Sequence, residues 1–460
     1  MDLIGQRIDR LAMTRRHWAW LFMAAVAWLI ESYDIGLMGV VLVPFKTIWH
    51  LSASQIGILV ASATVGIVVG VVPAGFLADR FGRKHVLVGA LLFYSVMTAL
   101  TGLATGWQAV AIMRFVAGIG LGAMFPLPYT LLAELSPRRK RGAVAGILDA
   151  FLSIGYFSAP VMAGWALTQY GDLVGWRVLF YVGGFGALYA LVIGVFMPES
   201  PRWLAAHGKF VRADRILRKL EGPAGWEPSG DEMLLVEEAG IHKKTSARQA
   251  LSSLWSPTYR RRSLMLWVAF PAVFFVFYAI MSYMPLVLKT EQFPAGWIWN
   301  VTALIMAASI PGKFLEAWLV EKLGRKPVIV GFTVVAALAA GVFPWAHGRM
   351  AIIVVAMILA FFGISVDPAM KIFTAEQYPT MMRGVGVGMT EGWGRLIGGA
   401  LAPYIMALML ADVGIRGSFL FVALFAIVGA IVVAFLGKET RGQHLEERVT
   451  GVEAEPEPAA

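Results

Sequence analysis

The feature that most constrains this chain is a run of apolar blocks, each about 20 residues long, the length a helix needs to cross a bilayer core. They centre near Leu29, Val65, Leu92, Gly120, Leu152 and Leu188, and resume after a polar stretch near Val276, Leu304, Val334, Ile358, Leu401 and Ile427. The expected fold is therefore an all-α membrane protein with twelve transmembrane helices. Composition supports this: the 460 residues are 58% hydrophobic and 15% charged, whereas soluble domains carry about 25% charged residues. The bilayer is thus an obligatory partner.

The basic residues set an orientation. With the N-terminus inside, about 30 of the 39 Lys and Arg residues fall in inner segments, while outer loops hold Lys46, Arg177, Lys289, Arg349 and Arg416. Arg114, Lys313, Lys371 and Arg395 are embedded in apolar blocks. The positive-inside rule then places both termini in the cytoplasm of a multi-pass plasma membrane protein, expected in a bacterial inner membrane. The net charge of +10 reads as loops facing an anionic leaflet rather than as nucleic-acid binding. Absence of Cys excludes disulfides and thiolate chemistry. The seven His lie at block ends or in loops, and no nucleophile–base set or metal cluster falls inside a block. An enzyme, a cofactor and a metal are accordingly not expected.

An internal repeat divides the chain. AELSPRRKRGAVAG from Ala133 recurs as AEQYPTMMRGVGVG from Ala375, and Gly82-Arg83-Lys84 recurs as Gly324-Arg325-Lys326, all at one offset of 242 positions. Six helices have been duplicated in parallel. The expected organisation is a basic N-terminal segment (1–17), a six-helix bundle (18–197), a cytoplasmic linker (198–262), a second bundle (263–437) and a tail (438–460). The basic amphipathic stretch Ala205–Leu220 predicts a surface helix, and the acidic Pro/Ala end from Glu453 a disordered tail.

Several motifs carry a family resemblance. GFLADRFGRK (Gly75–Lys84), RFVAGIGLGA (Arg114–Ala123) with Glu134 and Arg141, PESPRWL (Pro198–Leu204) and GKETRG (Gly437–Gly442) resemble the motifs of the major facilitator superfamily, in its sugar-porter-like branch. In the second half the loop motif is relaxed, with Ala317 and Glu321 at the Gly and Asp positions, and Lys438 stands where Pro is usual. The resemblance implies a monomeric carrier working by alternating access. It also implies a cytoplasmic gate of ion pairs joining the halves, from Asp79, Arg83, Glu134, Arg141, Glu199, Glu321, Arg325, Glu376 and Arg383. Helix-end capping and topology account for the same residues without a gate. GIGLG inside an apolar block reads as close helix packing rather than a nucleotide loop.

Charges at bilayer depth cost about 2.5–3.5 kcal/mol each on insertion scales and mark function. Glu31 and Asp34 share one face of the first helix, and Arg114 lies in the fourth. The resemblance puts Asp34 and Arg114 at the protonation switch of proton-coupled relatives, with Glu31 beside them; a static structural pair is the alternative. Asp367–Lys371 and Glu391–Arg395 are acid-then-base pairs at i, i+4, and Asp149 lies in the fifth helix.

The hexose-binding amides of the sugar branch are replaced. Asp149 stands at a Gln position, Lys371 at a Trp position, and the seventh helix presents Phe274, Phe275, Phe277 and Tyr278. The N-terminal stretch with WLIESYDIG resembles metabolite:proton symporters for nicotinate, hydroxybenzoate and related acids. The expected solute is an aromatic or other organic carboxylate, held by Asp149, Phe274, Phe275, Tyr278, Lys371, Glu391, Trp393 and Arg395. An organic cation or drug, drawn by the acidic residues, and a sugar or polyol are the alternatives.

Overall fold

The computed structural model of the chain describes residues 3–221, 252–378 and 380–441. The side chains of Arg138, Thr380, Met381 and Arg383, the middle of the linker and the tail beyond 441 lie outside the described residues.

Every polar backbone group in a hydrocarbon core must be satisfied within the protein, which leaves helices for uniformly apolar segments. Among the described residues the structure meets that demand with eleven apolar helical runs long enough to cross a membrane. After a short amphipathic helix α1 (Leu3–Arg10), the runs of the first half are α2 (Arg15–Ile48), α3 (Ala53–Phe81), α4 (Arg83–Thr101), α5 (Trp107–Leu135) and α6 (Arg141–Phe196). Two short helices follow, α7 (Pro201–Ala206) and α8 (Phe210–Glu221). The second half holds α9 (Arg260–Thr290), α10 (Ala295–Leu323), α11 (Arg325–Trp345), α12 (Arg349–Glu376), α13 (Gly384–Asp412) and α14 (Gly414–Leu436). At 56 residues α6 is twice the length of one span, and Gly171 breaks it with φ 68° and ψ 174°. Eleven runs therefore supply the twelve expected crossings.

Local sequence sets the boundaries. Ser52 caps α3 by accepting from the Gln55 amide at 3.4 Å, while the Gln55 side chain accepts from the Ser52 amide at 2.9 Å. The expected single helix over Ala205–Leu220 is instead α7 and α8. Gly208, at φ 70°, ends the first through a left-handed turn that other residues adopt only with strain.

Contacts divide the chain into two compact units, 1–243 with 281–307 and 244–280 with 308–460. The first unit thus includes residues 281–307, which the expected boundary at 263 assigned to the second bundle. Small residues explain that attachment: a β-carbon on Gly39 would lie 2.1 Å from the Met281 carbonyl oxygen, and one on Gly164 would lie 3.2 Å from Trp299. In the same unit Gly66 and Gly70 of α3 face Gly118 and Gly122 of α5 at backbone contact distance. GIGLG is therefore a packing motif.

Burial separates enclosed helices from peripheral ones. The central windows of α2 and α9 are 83% buried, those of α4 and α6 only 33%. Exposed Phe76, Leu188, Phe196, Phe314, Leu338, Leu424 and Phe435 give the bundles an apolar surface suited to lipid.

In the first unit α1 docks on the helices that follow α6. Ile4 and Ile8 pack with Trp203, Leu204, Ala213 and Leu217. Buried Arg7 donates to Asp214 at 2.9 Å and in a fork to Glu221 at 2.8 Å through both nitrogens. Burial alone would raise the Asp214 carboxyl, but hydrogen bonds and charge from Arg7 and Arg218 hold it below its ordinary 3.8. A depressed carboxyl stabilises the folded form above its unfolded pKa and loses that contribution as pH falls through the folded value. The protection of amides 3–10, measured as exchange relative to the unfolded chain at the same pH, should therefore be constant from neutrality down to about pH 4 and fall below it. Arg7→Gln should weaken docking by on the order of 2 kcal/mol at neutral pH; unchanged exchange in that variant would show that the apolar contacts alone hold α1.

Candidate functional site

Three groups of charged side chains stand out. The first is enclosed between α2, α4, α5 and α6. Asp34 and Arg114 are both fully buried and meet in a two-pronged ion pair. Arg114 Nη1 donates to Asp34 Oδ1 at 2.9 Å and Nη2 to Oδ2 at 2.7 Å. Thr98 Oγ1 donates to Asp34 Oδ1 at 2.7 Å, and the Arg114 guanidinium lies 5.8 Å from the Phe180 ring centroid. Tyr33, next to Asp34, is tied to the Leu179 carbonyl at 3.0 Å. Glu31 is also fully buried one turn away on α2, in a region shared with buried Tyr94. The sequence pointed to Asp34, Arg114 and Glu31; Thr98 carries no motif, and only the fold shows its hydroxyl on the carboxylate.

The second group lies within the second unit. Arg395 is buried; its Nη2 donates to Glu391 Oε1 at 3.5 Å, and its guanidinium sits 4.8 Å from the Phe274 ring centroid. Phe274 is flanked by Phe270 at 5.1 Å and Tyr278 at 6.2 Å between ring centroids. Arg395 opens a seven-residue π-helical stretch, Arg395–Leu401, an irregularity common at functional sites. Glycines bring this stretch onto α9, since a β-carbon on Gly398 would meet the Pro271 carbonyl oxygen at 2.1 Å. Lys371 Nζ pairs with Asp367 at 2.8 Å, and Lys313 and Arg395 are close enough to act on the Asp367 charge. Buried Lys313 and Glu316 of α10 were not singled out for the site from sequence. Their i, i+3 spacing in an apolar block was the available signal.

Two of the residues expected to hold the solute have ring partners of their own. Phe275 points away from Phe274 and packs against Phe421 and Phe425, each at 5.4 Å, because successive helical residues diverge by about 100°. Trp393 is stacked on Trp267 at 4.9 Å with its indole nitrogen donating to the Trp267 carbonyl, so its polar atom is already committed. Asp149 is buried on α6, in the first unit.

The third group repeats at the GRK turns. In the first unit Arg83 pairs with Asp79 at 3.0 Å and Glu134 at 3.5 Å. Glu199 accepts from the amides of Lys84 and Ser200 and contacts His85 Nδ1 at 3.1 Å. Arg141 reaches Asp9 at 3.9 Å. In the second unit Arg325 pairs with Glu376 at 3.3 Å, while Glu321 stands exposed. Glu439 accepts from the amides of Arg325, Lys326, Thr440 and Arg441, and Thr440 donates to Glu376. Burial pushes the Glu439 carboxyl up, but those four amides hold it below its ordinary value.

Each of these pairs lies within one unit; the side chain of Arg383 is outside the described residues. Glu439 was missed because it follows Glu199 by 240 positions, two short of the repeat, though Glu-Ser and Glu-Thr mark both sites.

The fold and these sites define a polytopic helical carrier with a duplicated loop architecture. A family profile described as "Sugar (and other) transporter" matches residues 20–450, and the chain belongs to that family. It is 32% identical to the niacin transporter NiaP of Acinetobacter baylyi, over 97% of this chain and 99% of that protein. It is 28% identical to the 4-hydroxybenzoate transporter PcaK of Pseudomonas putida, over 84% and 85%. Among solved structures it resembles the xylose transporter XylE of E. coli, with TM-score 0.77 and 20% identity over 94% of this chain and 99% of that one. The protein is a membrane transporter of small organic solutes of the major facilitator superfamily, and not an enzyme.

The turns give a direct test. Gly82 and Gly324 have φ of 102° and 101°, and a β-carbon there would lie 2.1 Å from a Glu199 oxygen and 2.7 Å from Glu439. Gly82→Ala and Gly324→Ala should each cost about 1–3 kcal/mol, read as a lowered unfolding midpoint of the detergent-purified protein. Full retention of the midpoint would mean the turns rearrange without strain.

Proposed function

We propose that the protein couples proton entry to uptake of an aromatic or other organic carboxylate. The observation that carries this reading is the pairing of one desolvated Asp–Arg switch with a separate cationic, aromatic site. Asp34 is answered by Arg114 in a buried ion pair. A shift of α5 would part Arg114 from this carboxylate, and a proton would take over as its counter-charge. Alternation between these states links protonation to the conformational cycle.

The solute would be recognised in the second unit. Arg395 offers planar donors to a carboxylate, and Phe274 and Tyr278 offer ring faces beside it. Lys371, held at 2.8 Å by Asp367, is a second donor in the same unit. A solute anion would exchange with Glu391 for the Arg395 guanidinium. The family relatives whose names specify niacin and 4-hydroxybenzoate support a small aromatic acid. With the positive-rich loops in the cytoplasm, the pairs at the GRK turns would brace each half as it moves.

Binding of nicotinate, 4-hydroxybenzoate, a hexose and a quaternary ammonium compound to the purified protein tests the solute class. The acids should bind, and Arg395→Gln should weaken them at least about tenfold; preference for the hexose or the cation would overturn it. In proteoliposomes an inward proton gradient should drive accumulation of the bound acid. Asp34→Asn should abolish accumulation while leaving solute exchange; continued accumulation by that variant would remove Asp34 from the coupling.

A further inference from the structure

Helix α8 presents two unlike faces. Ala213, Leu217 and Leu220 are buried, and Asp214 and Glu221 turn toward Arg7 of α1. Glu221 and one Asp214 oxygen are engaged by Arg7 and the other Asp214 oxygen by Arg218, leaving Lys209, Arg212, Arg215 and Lys219 exposed in one short segment. The excess of positive charge is a consequence of α1 docking.

This basic ridge borders a cavity of about 500 Å³ shared with the first GRK turn. Its polar lining is Lys84, His85, Glu199, Lys209, Arg212 and Arg215, and its apolar lining includes Phe81, Trp203 and Ile216. The cavity's one carboxylate, Glu199, is already occupied by the Lys84 and Ser200 amides and by His85. The apolar wall is fixed: Trp203 donates from its indole to the Asp79 carbonyl at 2.8 Å, and Lys209 Nζ lies 4.7 Å from its ring centroid. Phe81 is 53% exposed at the end of the membrane-spanning α3, and Leu77, one turn earlier, is 44% exposed. Arg215 also edges a second cavity of about 480 Å³, with Arg16, Val211, Asp214, Arg218 and Lys219.

We propose that this cavity binds the phosphate headgroup of an anionic membrane phospholipid. The basic side chains match a phosphodiester in charge and hydrogen bonding. The line from Phe81 to Leu77 gives an acyl chain an apolar track leading from the cavity along a spanning helix. A soluble anion would use the charges but not that track, whereas an amphiphile uses both. Because the cavity is formed jointly by the α3–α4 turn and α8, the lipid bridges the first bundle and the helix that α1 clamps.

Native mass spectrometry of the full-length, delipidated protein tests this with phosphatidylglycerol and phosphatidylcholine of identical acyl chains. Phosphatidylglycerol should be retained preferentially. Arg212→Gln with Arg215→Gln removes two exposed charges and should weaken its retention about 30-fold, while Arg416→Gln, at the start of α14, should leave it unchanged. Solute binding by the double variant confirms that it is folded. Equal retention of the two lipids, or full phosphatidylglycerol retention by the double variant, would overturn the proposal. So would displacement of the lipid by excess glycerol phosphate, which would mark a soluble-anion site.

Discussion

A full charge placed among membrane-spanning helices has to be answered by an opposite one, and this constraint organises the interior of the protein. The Asp34–Arg114 pair meets it with two parallel hydrogen bonds in a site closed to solvent. Thr98 and the Phe180 ring complete the surroundings, so four helices converge on one carboxylate. Removing one partner of such a pair leaves an uncompensated buried charge, which costs about 3–5 kcal/mol. That cost is what the proposed coupling draws on: helix movement that parts Arg114 from Asp34 would have to be accompanied by another counter-charge.

The second unit answers its charges differently. Asp367–Lys371 and Glu391–Arg395 are intrahelical pairs, with Phe274 against the Arg395 guanidinium. An intrahelical pair is weaker than a closed interhelical fork and yields more readily to a competing anion. The duplicated loops are alike in both halves, whereas the interior charges are not. Asp34 and Arg114 correspond to Val276 and Ala356 at the repeat offset, and Lys371 and Arg395 to Tyr129 and Ser153. Duplication built the frame, and divergence between the copies assigned the tasks.

Much of this was legible in the sequence because its cause is local or repeated. Block length gave the spans, and the constant offset gave the two copies. The rarity of embedded charge drew attention to Asp34, Arg114, Lys371 and Arg395. What stayed hidden depends on tertiary geometry. Phe275 and Phe274 are neighbours in sequence yet face different partners. Trp393 has no motif that would reveal its stacking on Trp267. The Arg7 clamp joins residues more than 200 positions apart. Glu439 escaped because the second copy had lost two positions before it, although its four amide donors make it the counterpart of Glu199.

The central claim is that a proton crosses with each solute through Asp34. Proteoliposomes loaded with a pH-sensitive dye, given nicotinate outside and no imposed gradient, measure that directly. The account predicts acidification of the interior as the acid enters through the wild-type protein, and solute exchange without acidification through Asp34→Asn. Nicotinate entry without any proton movement in the wild type, or undiminished acidification in the variant, would contradict it.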